Sequence, residues 1–282
     1  MKIEDQEFVS AVVVLYNPTE EVLVNIRSYA AEVDKIYCID NSERENSFVK
    51  EIKNIEYIAL HKNTGIAYAL NIGCEKAIND GMDVIVTFDQ DTVCEKNTIH
   101  ALLTTLKRIN TPVIVAPNIK YIYRSKGTGE RIFSDEKMFP VGNEYVNWVI
   151  TSGSMFRSST FDLIGKFDTR LFISQVDQDF CYRLKQNGGK VYRVGYAYIY
   201  QEPGNTKKKK IGNKIIHIPN QDKKRYYYLF RNEVYLRKKW GDSYKKFYVS
   251  RYKYIISIVF FEKNKIQKIL ACINGSIKGK NM

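Results

Sequence analysis

The sequence has few of the residues that build disulfide frameworks, metal knuckles or rigid loops. Its 282 residues include five cysteines, six prolines and three histidines. The odd number of cysteines and the lack of a C-x-x-C pair argue against a disulfide framework and a zinc knuckle. The cysteines are Cys38, Cys74, Cys94, Cys181 and Cys272. We therefore expect a reducing compartment.

Long apolar segments are missing as well. The N-terminal residues include acids where a secretory signal would need a basic region followed by an apolar stretch, so we predict no export signal. The longest apolar run in the C-terminal part, Tyr254–Phe261, has eight residues. A membrane-spanning helix needs about 20. We expect no transmembrane segment and a cytoplasmic location.

Charge is unevenly distributed along the chain. The 44 Lys and Arg residues exceed the 31 Asp and Glu residues, which gives a net charge of +13. Residues 204–282 contain 21 basic and 4 acidic side chains, so this part carries +17 and residues 1–203 carry −4. A hydrophobic fraction of 44% excludes a disordered chain. The excess of basic charge therefore belongs to the C-terminal part.

Strand and helix patterns alternate in the first half. Short β-branched runs predict strands at Ser10–Leu15, Lys35–Ile39, Glu56–Leu60, Val84–Phe88 and Pro112–Ala116. Helical spacing lies between them, at Glu20–Ala31, Ser47–Lys53, Ile66–Asn79 and Lys96–Ile109. This alternation predicts a doubly wound α/β fold with a mostly parallel sheet, in which ligands bind beyond the carboxyl ends of the strands.

Polar residues directly follow four of the predicted strands, and we expect them to meet at one crevice. They are Tyr16-Asn17-Pro18, Asp40-Asn41-Ser42, Lys62-Asn63-Thr64-Gly65 and Asp89-Gln90-Asp91. Two carboxylates at i and i+2 after a strand suit a hard divalent cation such as Mg²⁺ or Mn²⁺ that also binds phosphate oxygens. A solvated turn is the alternative interpretation.

Four other positions have two interpretations each. Asp40 could accept from a base or ribose, or initiate an Asx turn. The amides of Asn63–Gly65 could bind a phosphate at a helix N-terminus, or these residues could simply cap the helix. Thr151-Ser152-Gly153, after a predicted strand at 146–150, could let a ligand approach the backbone or form a turn. Asp177 and Asp179 could complement a helix dipole or supply a general base.

The order of these motifs resembles glycosyltransferase family 2, and specifically its bacterial rhamnosyltransferase-like branch. The resemblance covers about residues 10–240. The residues that carry it are VVVLYNP (12–18), IDNS (39–42), KNTGIAYALNIG (62–73), VTFDQDT (86–92), ITSGSMF (150–156), GKFDTRLFISQVDQDFCYRL (165–184) and RYYYLFRNEVYLRKKW (225–240).

The resemblance implies a GT-A fold and an inverting, metal-dependent sugar transfer from a nucleotide diphosphate. It implies Asp177 as the catalytic base, and Asp91 with Asp89 as ligands of Mg²⁺ or Mn²⁺. The donor nucleotide would contact Tyr16, Asn17, Asp40, Asn63, Gly65 and Asp89. The donor-sugar and acceptor pocket would include Thr151, Ser152, Gly153, Asp179 and Arg183. Gln201 and Arg231 are candidate phosphate contacts.

One position departs from the family pattern. The family often has a His at the strand end before the basic segment, and here that strand is followed by Gln201-Glu202. A neutral amide is a poorer metal ligand, which predicts either weaker metal dependence or substitution by Glu202 or a nearby side chain. We expect His217 to pack or hydrogen-bond locally rather than bind a metal.

The basic C-terminal part has three interpretations. We expect Lys207–Lys210 to lie in a loop, and the segment 248–270 to form an interfacial helix. Cations beside apolar and aromatic positions favour an anionic membrane surface. A solvated helical face is less favoured, and single-stranded nucleic acid least.

These observations predict a catalytic domain at 1–220 and a basic helical extension at 221–282. The predicted function is transfer of L-rhamnose from dTDP-rhamnose to a lipid-linked glycan during cell-surface or capsular polysaccharide synthesis, at the inner face of the membrane. A nucleotidyltransferase is one alternative, although LYNPTEEV after the first strand lacks the glycine and cation of a triphosphate loop. A non-catalytic membrane-attached binding protein is the other. The sequence does not predict the oligomeric state.

Overall fold

The computed structural model describes residues 7–125, 127–139, 142–212 and 214–282. These residues divide into two compact units. The first unit comprises the described parts of 1–170 and 176–202, and the second comprises 171–175 and the described parts of 203–282. The domain boundary predicted at residues 220 and 221 lies inside the second unit.

The first unit alternates strands with helices. Its strands are β1 (Val9–Leu15), β2 (Lys35–Asp40), β3 (Ile55–Ala59), β4 (Val84–Asp89), β5 (Val93–Cys94), β6 (Val113–Arg124), β7 (Arg131–Lys137), β8 (Glu144–Tyr145), β9 (Ser154–Arg157) and β10 (Lys190–Gln201). Its helices are α1 (Glu21–Ala30), α2 (Ile66–Asn79), α3 (Thr98–Arg108), α4 (Ser158–Ile164) and α5 (Val176–Gln186), with a 3₁₀ helix at Ser47–Glu51. Another 3₁₀ turn, Thr169–Leu171, leads into the second unit.

One sheet joins these strands in the order β3-β2-β1-β4-β9-β6-β10-β5, with β7 beside β6 and β8 beside β10. The pairs β1–β2, β1–β4, β2–β3 and β6–β10 are parallel, whereas β9 runs antiparallel to β4 and β6. All seven residues of β1 are buried, as expected for a strand covered on both faces. The predicted α/β fold with a mostly parallel sheet is confirmed.

The strand predicted at 146–150 is wrong. These residues are irregular, and the strand of this region, β9, begins later at Ser154. After β8 the chain leaves the sheet and rejoins it at Ser154, directly after Gly153, whose φ of +79° makes the turn. Apolar side chains alone do not make a strand, because the backbone must also find a pairing partner, and β9 finds one on each side.

The second unit begins with a hairpin and continues as helices. Its elements are β11 (Lys207–Ile211), β12 (Lys214–Ile218), α6 (Lys223–Trp240), a 3₁₀ helix at Gly241–Phe247, α7 (Arg251–Phe261) and α8 (Lys265–Lys280). The prediction of a loop at Lys207–Lys210 is wrong, because these residues pair antiparallel with β12. The helix predicted near Gln221 is α6, which Asp222 caps by accepting from the backbone amide of Arg225 at 2.8 Å.

The single interfacial helix predicted over 248–270 is also wrong, because the segment divides into α7 and α8. Buried Glu262 lies between them and accepts hydrogen bonds from Tyr226 Oη at 2.6 Å and Ser257 Oγ at 2.8 Å. Its other carboxylate oxygen accepts from Lys268 Nζ at 2.7 Å. A straight helix could not bring these partners together around one carboxylate, so the chain turns here.

A small core holds the helices of the second unit together. Tyr226 and Phe230 of α6 pack with Ile258 of α7 and Cys272 of α8. Within the described residues, no helix combines the length and apolar character that crossing a bilayer requires.

Candidate active site

The turn Asp89-Gln90-Asp91 at the end of β4, named the D-x-D turn from here on, is supported by hydrogen bonds that involve buried side chains. The backbone amide of Asp89 donates to Ser152 Oγ at 3.2 Å, and Ser152 Oγ lies 2.6 Å from Thr92 Oγ1. Gln201 Nε2 at the end of β10 donates to the same Thr92 hydroxyl at 3.1 Å. Ser152 and Thr92 are buried. A relay of hydroxyl groups therefore connects two strand ends to the backbone that carries the paired carboxylates.

The carboxylates of this turn repel one another. Burial raises the pKa of Asp91 well above its ordinary value, and the negative charges of Asp89 and Glu202 raise it further. Arg131 acts in the opposite direction. The protein thus compensates the charge of Asp91 only in part, which is the electrostatic condition that a bound divalent cation would relieve.

The donor set also fits such a cation. Among the described residues, no group of three or more His, Cys, Asp or Glu side chains is arranged to hold a metal ion. Mg²⁺ commonly takes one or two protein carboxylates and completes its shell with phosphate oxygens and water. Asp89 and Asp91 match that pattern, with Glu202 close enough to influence the charge of Asp91.

Two arginines beside the turn were not predicted from the sequence. Arg124 donates to Glu202 at 2.6 Å and to Glu21 at 2.7 Å. Arg131 donates to Asn25 Oδ1 at 2.7 Å, and Asn25 Nδ2 donates to the backbone carbonyl of Gln90. Arg124 and Arg131 are directly paired across β6 and β7. Two arginines flanking a short Gly-containing segment were the available signal, but the pairing of Arg124 with Glu202 and the effect of Arg131 on Asp91 depend on the sheet.

Side chains link the neighbouring strand ends. The backbone amide of Tyr16 donates to Gln90 Oε1 at 2.7 Å, and Gln90 Nε2 donates back to the Tyr16 carbonyl at 3.2 Å. The amide of Asn17 donates to Ser42 Oγ at 2.7 Å. These strand ends lie at one edge of the sheet, because β1, β2 and β4 are parallel neighbours and β3 continues the set beside β2. That the residues after the four strands form one ligand-binding crevice stays a prediction.

Asp40 organises the loop after β2. It is 1% exposed, and its carboxylate accepts from the amides of Ser42 and Asn46 at 3.0 Å each and from Tyr57 Oη at 2.6 Å. Burial opposes its charge, but hydrogen bonds from Ser42, Tyr57 and Asn46 outweigh burial and lower the pKa of Asp40. The bond to Ser42 makes the Asx turn that was one of the two interpretations. A contact with a base stays a prediction.

The loop before α2 is tied to the same region. Asn41 Oδ1 accepts from the amide of Thr64 at 2.7 Å, and Asn63 Oδ1 accepts from the amide of Gly65 at 3.1 Å. Gly65 has a φ of +85°, a conformation that glycine adopts without strain. Asparagine side-chain oxygens therefore accept hydrogen bonds from the backbone amides that were predicted to bind a phosphate. The phosphate contact stays a prediction.

Thr151, Ser152 and Gly153 lie behind the D-x-D turn. Thr87 Oγ1 in β4 donates to the Thr151 carbonyl at 2.5 Å, and the amide of Gly153 donates to the Thr87 carbonyl at 2.7 Å. A Cβ atom on Gly153 would lie 2.7 Å from the Pro117 side chain. The missing side chain of Gly153 thus admits a neighbouring proline, and the contacts of Ser152 serve the turn. A direct role of these residues in a sugar pocket stays a prediction.

The two acids at the start of α5 have different surroundings. Asp179 is fully buried and accepts from Arg183 Nε at 2.9 Å. Arg183 also donates to the carbonyls of Ile164 at 2.5 Å and Gly165 at 3.1 Å, which connects α5 to the end of α4. Asp177 is half-buried, with Oδ1 accepting from the amide of Gln178 at 2.9 Å. Asp177 is therefore the more accessible acid of the two.

Arg231, in the second unit, holds protein groups. Its guanidinium donates to the carbonyl of Leu171 and to Asn232 Oδ1, each at 2.8 Å. Asn232 Nδ2 donates to the carbonyls of Leu171, Ile173 and Ser174. The loop 171–175 needs this support, because Phe172, Ser174 and Gln175 all have positive φ angles. A phosphate contact of Arg231 stays a prediction, as does that of Gln201.

Comparison with known proteins identifies the class to which this arrangement belongs. Residues 10–165, which contain the β1 to β4 edge, the D-x-D turn and β9, match the model of glycosyl transferase family 2. The chain belongs to glycosyl transferase family 2. The predicted family and the predicted enzyme class, a glycosyltransferase, are confirmed, and inversion is the general property of this family.

A curated relative of this family 2 chain matches nearly its whole length. The chain is 28% identical over 292 residues to the dTDP-rhamnosyl transferase RfbF of Shigella flexneri, covering 94% of each protein. The similarity thus extends beyond residues 10–165 and includes the second unit.

Solved structures show the same fold. The family 2 chain superposes on GalNAc-T7 with UDP, GalNAc and Mn²⁺ with a TM-score of 0.61 and 15% identity, over 87% of this chain and 50% of that one. It superposes on residues 1–349 of S. aureus TarS in complex with UDP with a TM-score of 0.52 and 15% identity, over 94% of this chain and 69% of that one. The chain spans half the length of the GalNAc-T7 chain. The predicted GT-A fold is confirmed.

Proposed function

We propose that this glycosyltransferase moves L-rhamnose from dTDP-rhamnose to a lipid-linked glycan during cell-surface or capsular polysaccharide synthesis. The mutually repelling carboxylates of Asp89 and Asp91, at the edge where parallel strands end, are the observation that carries the proposal. They match the needs of a nucleotide diphosphate bound with Mg²⁺ or Mn²⁺. The similarity to a dTDP-rhamnosyl transferase over 94% of the chain supports the donor.

Asp177 is the proposed general base. It takes the proton of the acceptor hydroxyl while the hydroxyl oxygen bonds to the anomeric carbon of the sugar. The bond between that carbon and the diphosphate oxygen breaks on the opposite face, so the configuration inverts. Asp89 and Asp91 would hold the cation, which when bound would stabilise the negative charge of the leaving diphosphate.

The second unit supports a membrane location in this proposal. Residues 204–282 carry +17, and a cation near an anionic bilayer contributes about 1 kcal/mol to binding. A lipid-linked acceptor lies in such a bilayer. We therefore place the enzyme peripherally on the inner face of the cell membrane, with no nucleic-acid partner.

A donor panel tests the chemistry. Purified protein is incubated with dTDP-rhamnose and other nucleotide sugars, with Mg²⁺, Mn²⁺ or chelator, and sugar release or transfer is measured. Asp91→Asn keeps the shape of the side chain and removes its charge. We expect kcat/KM to fall by on the order of a hundredfold or more, because the diphosphate loses electrostatic stabilisation.

Asp135→Asn is the matched control, because the Asp135 side chain is 98% exposed on β7. It should leave turnover unchanged. Turnover of UDP-sugars but not of dTDP-rhamnose would show that the proposed donor is wrong, while the proposed glycosyltransferase activity would stand. Equal activity of wild type and Asp91→Asn, or no turnover of any nucleotide sugar, would contradict the proposed site.

A further inference from the structure

An exposed apolar stripe runs along α8. Ile266, Leu270, Ile273 and Ile277 are all exposed, and Ile266 is 77% exposed. Their spacing of i, i+4, i+7 and i+11 puts the four side chains on one face of the helix. Four aliphatic side chains in a row on an exposed helix face are unusual for a surface that meets only water.

The stripe is not the face by which α8 packs in its own unit. The packed face consists of Lys268, Cys272, Gly275 and Gly279, each two residues beyond a member of the stripe. Two residues correspond to about 200° around a helix, so the packed face and the stripe are opposite. Gly275 and Gly279 lie against the backbone of α6. Helix α8 therefore already packs against α6, through the face opposite the stripe.

The neighbouring helix α7 presents a second exposed apolar face. Tyr252, Ile256, Val259 and Phe260 are exposed, and Tyr252 is 84% exposed. Ser257 and Ile258 form the buried side of α7. The helices α7 and α8 pack against each other, and the buried Glu262–Lys268 ion pair fixes the corner between them. The two exposed faces thus belong to one ordered pair of helices.

The charges around these faces indicate what covers them. Lys263, Lys265, Lys278 and Lys280 are exposed, whereas residues 241–282 contain two acids, Asp242 and Glu262. Glu262 is buried and paired with Lys268. A second copy of this chain would bring like charges together, which disfavours a dimer through this surface. An anionic bilayer offers both an apolar interior and a complementary charge.

We propose that α7 and α8 insert these eight apolar side chains into the interfacial region of an anionic bilayer. The proposal deepens and rests on the membrane association proposed above, and it does not depend on the donor sugar. Attraction between exposed charges weakens when salt shortens the screening length from about 10 Å at 0.1 M to about 3 Å at 1 M. Burial of apolar side chains does not, so part of the binding should persist at high salt.

Vesicle co-sedimentation with the full chain tests the proposal. The vesicles contain phosphatidylglycerol and phosphatidylcholine, or phosphatidylcholine alone, at about 0.1 M and about 1 M NaCl. The stripe variant replaces Ile266, Leu270, Ile273 and Ile277 with Gln, which keeps good helix formers on the exposed face. The charge variant replaces Lys263, Lys265, Lys278 and Lys280 with Gln. Asn274→Gln, also exposed on α8, is the matched control.

We expect the stripe variant to lose at least about tenfold in vesicle affinity at both salt concentrations, because it buries fewer methylene groups. The charge variant should lose affinity mainly at low salt, and Asn274→Gln should bind like wild type. All variants should unfold at the wild-type temperature, since the replaced side chains lie outside the core.

If the stripe variant binds vesicles with the same affinity as the wild type, insertion is contradicted. Insertion is also contradicted if the wild-type protein no longer binds vesicles at high salt. A third contradicting result would be that the wild type does not bind vesicles but dimerises with increasing concentration, and that the stripe variant does not dimerise. Donor turnover without vesicles, measured on the same proteins, separates the two proposals. If turnover fails and vesicle binding holds, the proposed chemistry is wrong and the insertion surface stands.

Discussion

The acids Asp177 and Asp179 are two residues apart, yet their surroundings predict opposite effects of substitution. Asp177→Asn should leave the fold intact and lower kcat for transfer by about 10²-fold or more, with the donor KM nearly unchanged, because a neutral amide cannot take the acceptor proton. Steady-state kinetics and a thermal unfolding curve measure both effects.

Asp162→Asn serves as the control for this prediction, because Asp162 is an exposed acid on α4. Asp179→Asn should instead lower the unfolding temperature, since it removes the buried negative charge that pairs with half-buried Arg183. Transfer by Asp177→Asn at the wild-type rate would assign the base to another residue.

Ser152 is a positioning residue for the D-x-D turn. Ser152→Ala removes the acceptor of the Asp89 amide and the partner of Thr92, which should cost about 1–3 kcal/mol of stability. We also expect weaker binding of Mn²⁺ with nucleotide diphosphate, measured by calorimetry, because the turn is no longer fixed.

Ser154→Ala separates these two effects of Ser152→Ala. Ser154 is also a buried serine, and its hydroxyl donates to the carbonyl of Ile150 at 2.6 Å outside the relay. This variant should lose stability and keep the affinity for metal and nucleotide. If both serine variants lose the same affinity, Ser152 has no special role in positioning.

At the level of secondary-structure elements, the corner between α7 and α8 depends on one carboxylate. Burial opposes the charge of Glu262, but hydrogen bonds from Lys268, Tyr226 and Ser257 outweigh it and lower the pKa of Glu262. A lowered pKa means that the carboxylate stabilises the fold above its unfolded-state pKa, near 4.5. This stability is lost as the pH falls through the pKa of the folded state.

Glu262→Gln should therefore reduce the free energy of unfolding by about 3 kcal/mol at neutral pH, because the Lys268 cation stays buried without its partner. The difference from wild type should shrink as the pH falls below about 4.5. Thermal unfolding across the pH range measures both. The double variant Glu262→Gln/Lys268→Met should recover part of the lost unfolding free energy. If the difference in unfolding free energy between Glu262→Gln and wild type stays the same at acidic pH, the Glu262 charge does not stabilise the fold.

At the scale of the whole molecule, the C-terminal helices have two roles that a truncation cannot separate. They carry the exposed apolar faces, and Ile258 and Cys272 also complete the core around Tyr226 and Phe230. Deleting residues 241–282 should therefore expose that core and produce an aggregating protein with a lower unfolding temperature. A monodisperse truncated chain with the wild-type unfolding temperature would show that α6 is stable without α7 and α8.

Much of the fold and of the candidate site was predictable because the responsible signals are local. Runs of β-branched residues predict buried parallel strands wherever they occur, and the polar residues after them must lie at the carboxyl edge. The segments predicted for β1 to β4 and α2 agree with the observed ranges for this reason. The segment 146–150 was misassigned because apolar character does not reveal whether a pairing partner exists.

The sequence by itself determined the α/β order, the paired carboxylates and the family, since each depends on neighbouring residues or on motif order. Only the tertiary structure decided that Ser152 supports Asp89, 63 positions away, and that the charge of Arg131 lies close enough to lower the pKa of Asp91. It also decided that the segment 248–270 divides into α7 and α8 at Glu262. The physical reason is that hydrophobic periodicity indicates which side of a helix or strand is buried. A hydrogen-bond partner distant in sequence depends instead on the sheet register and on where the chain packs back against itself.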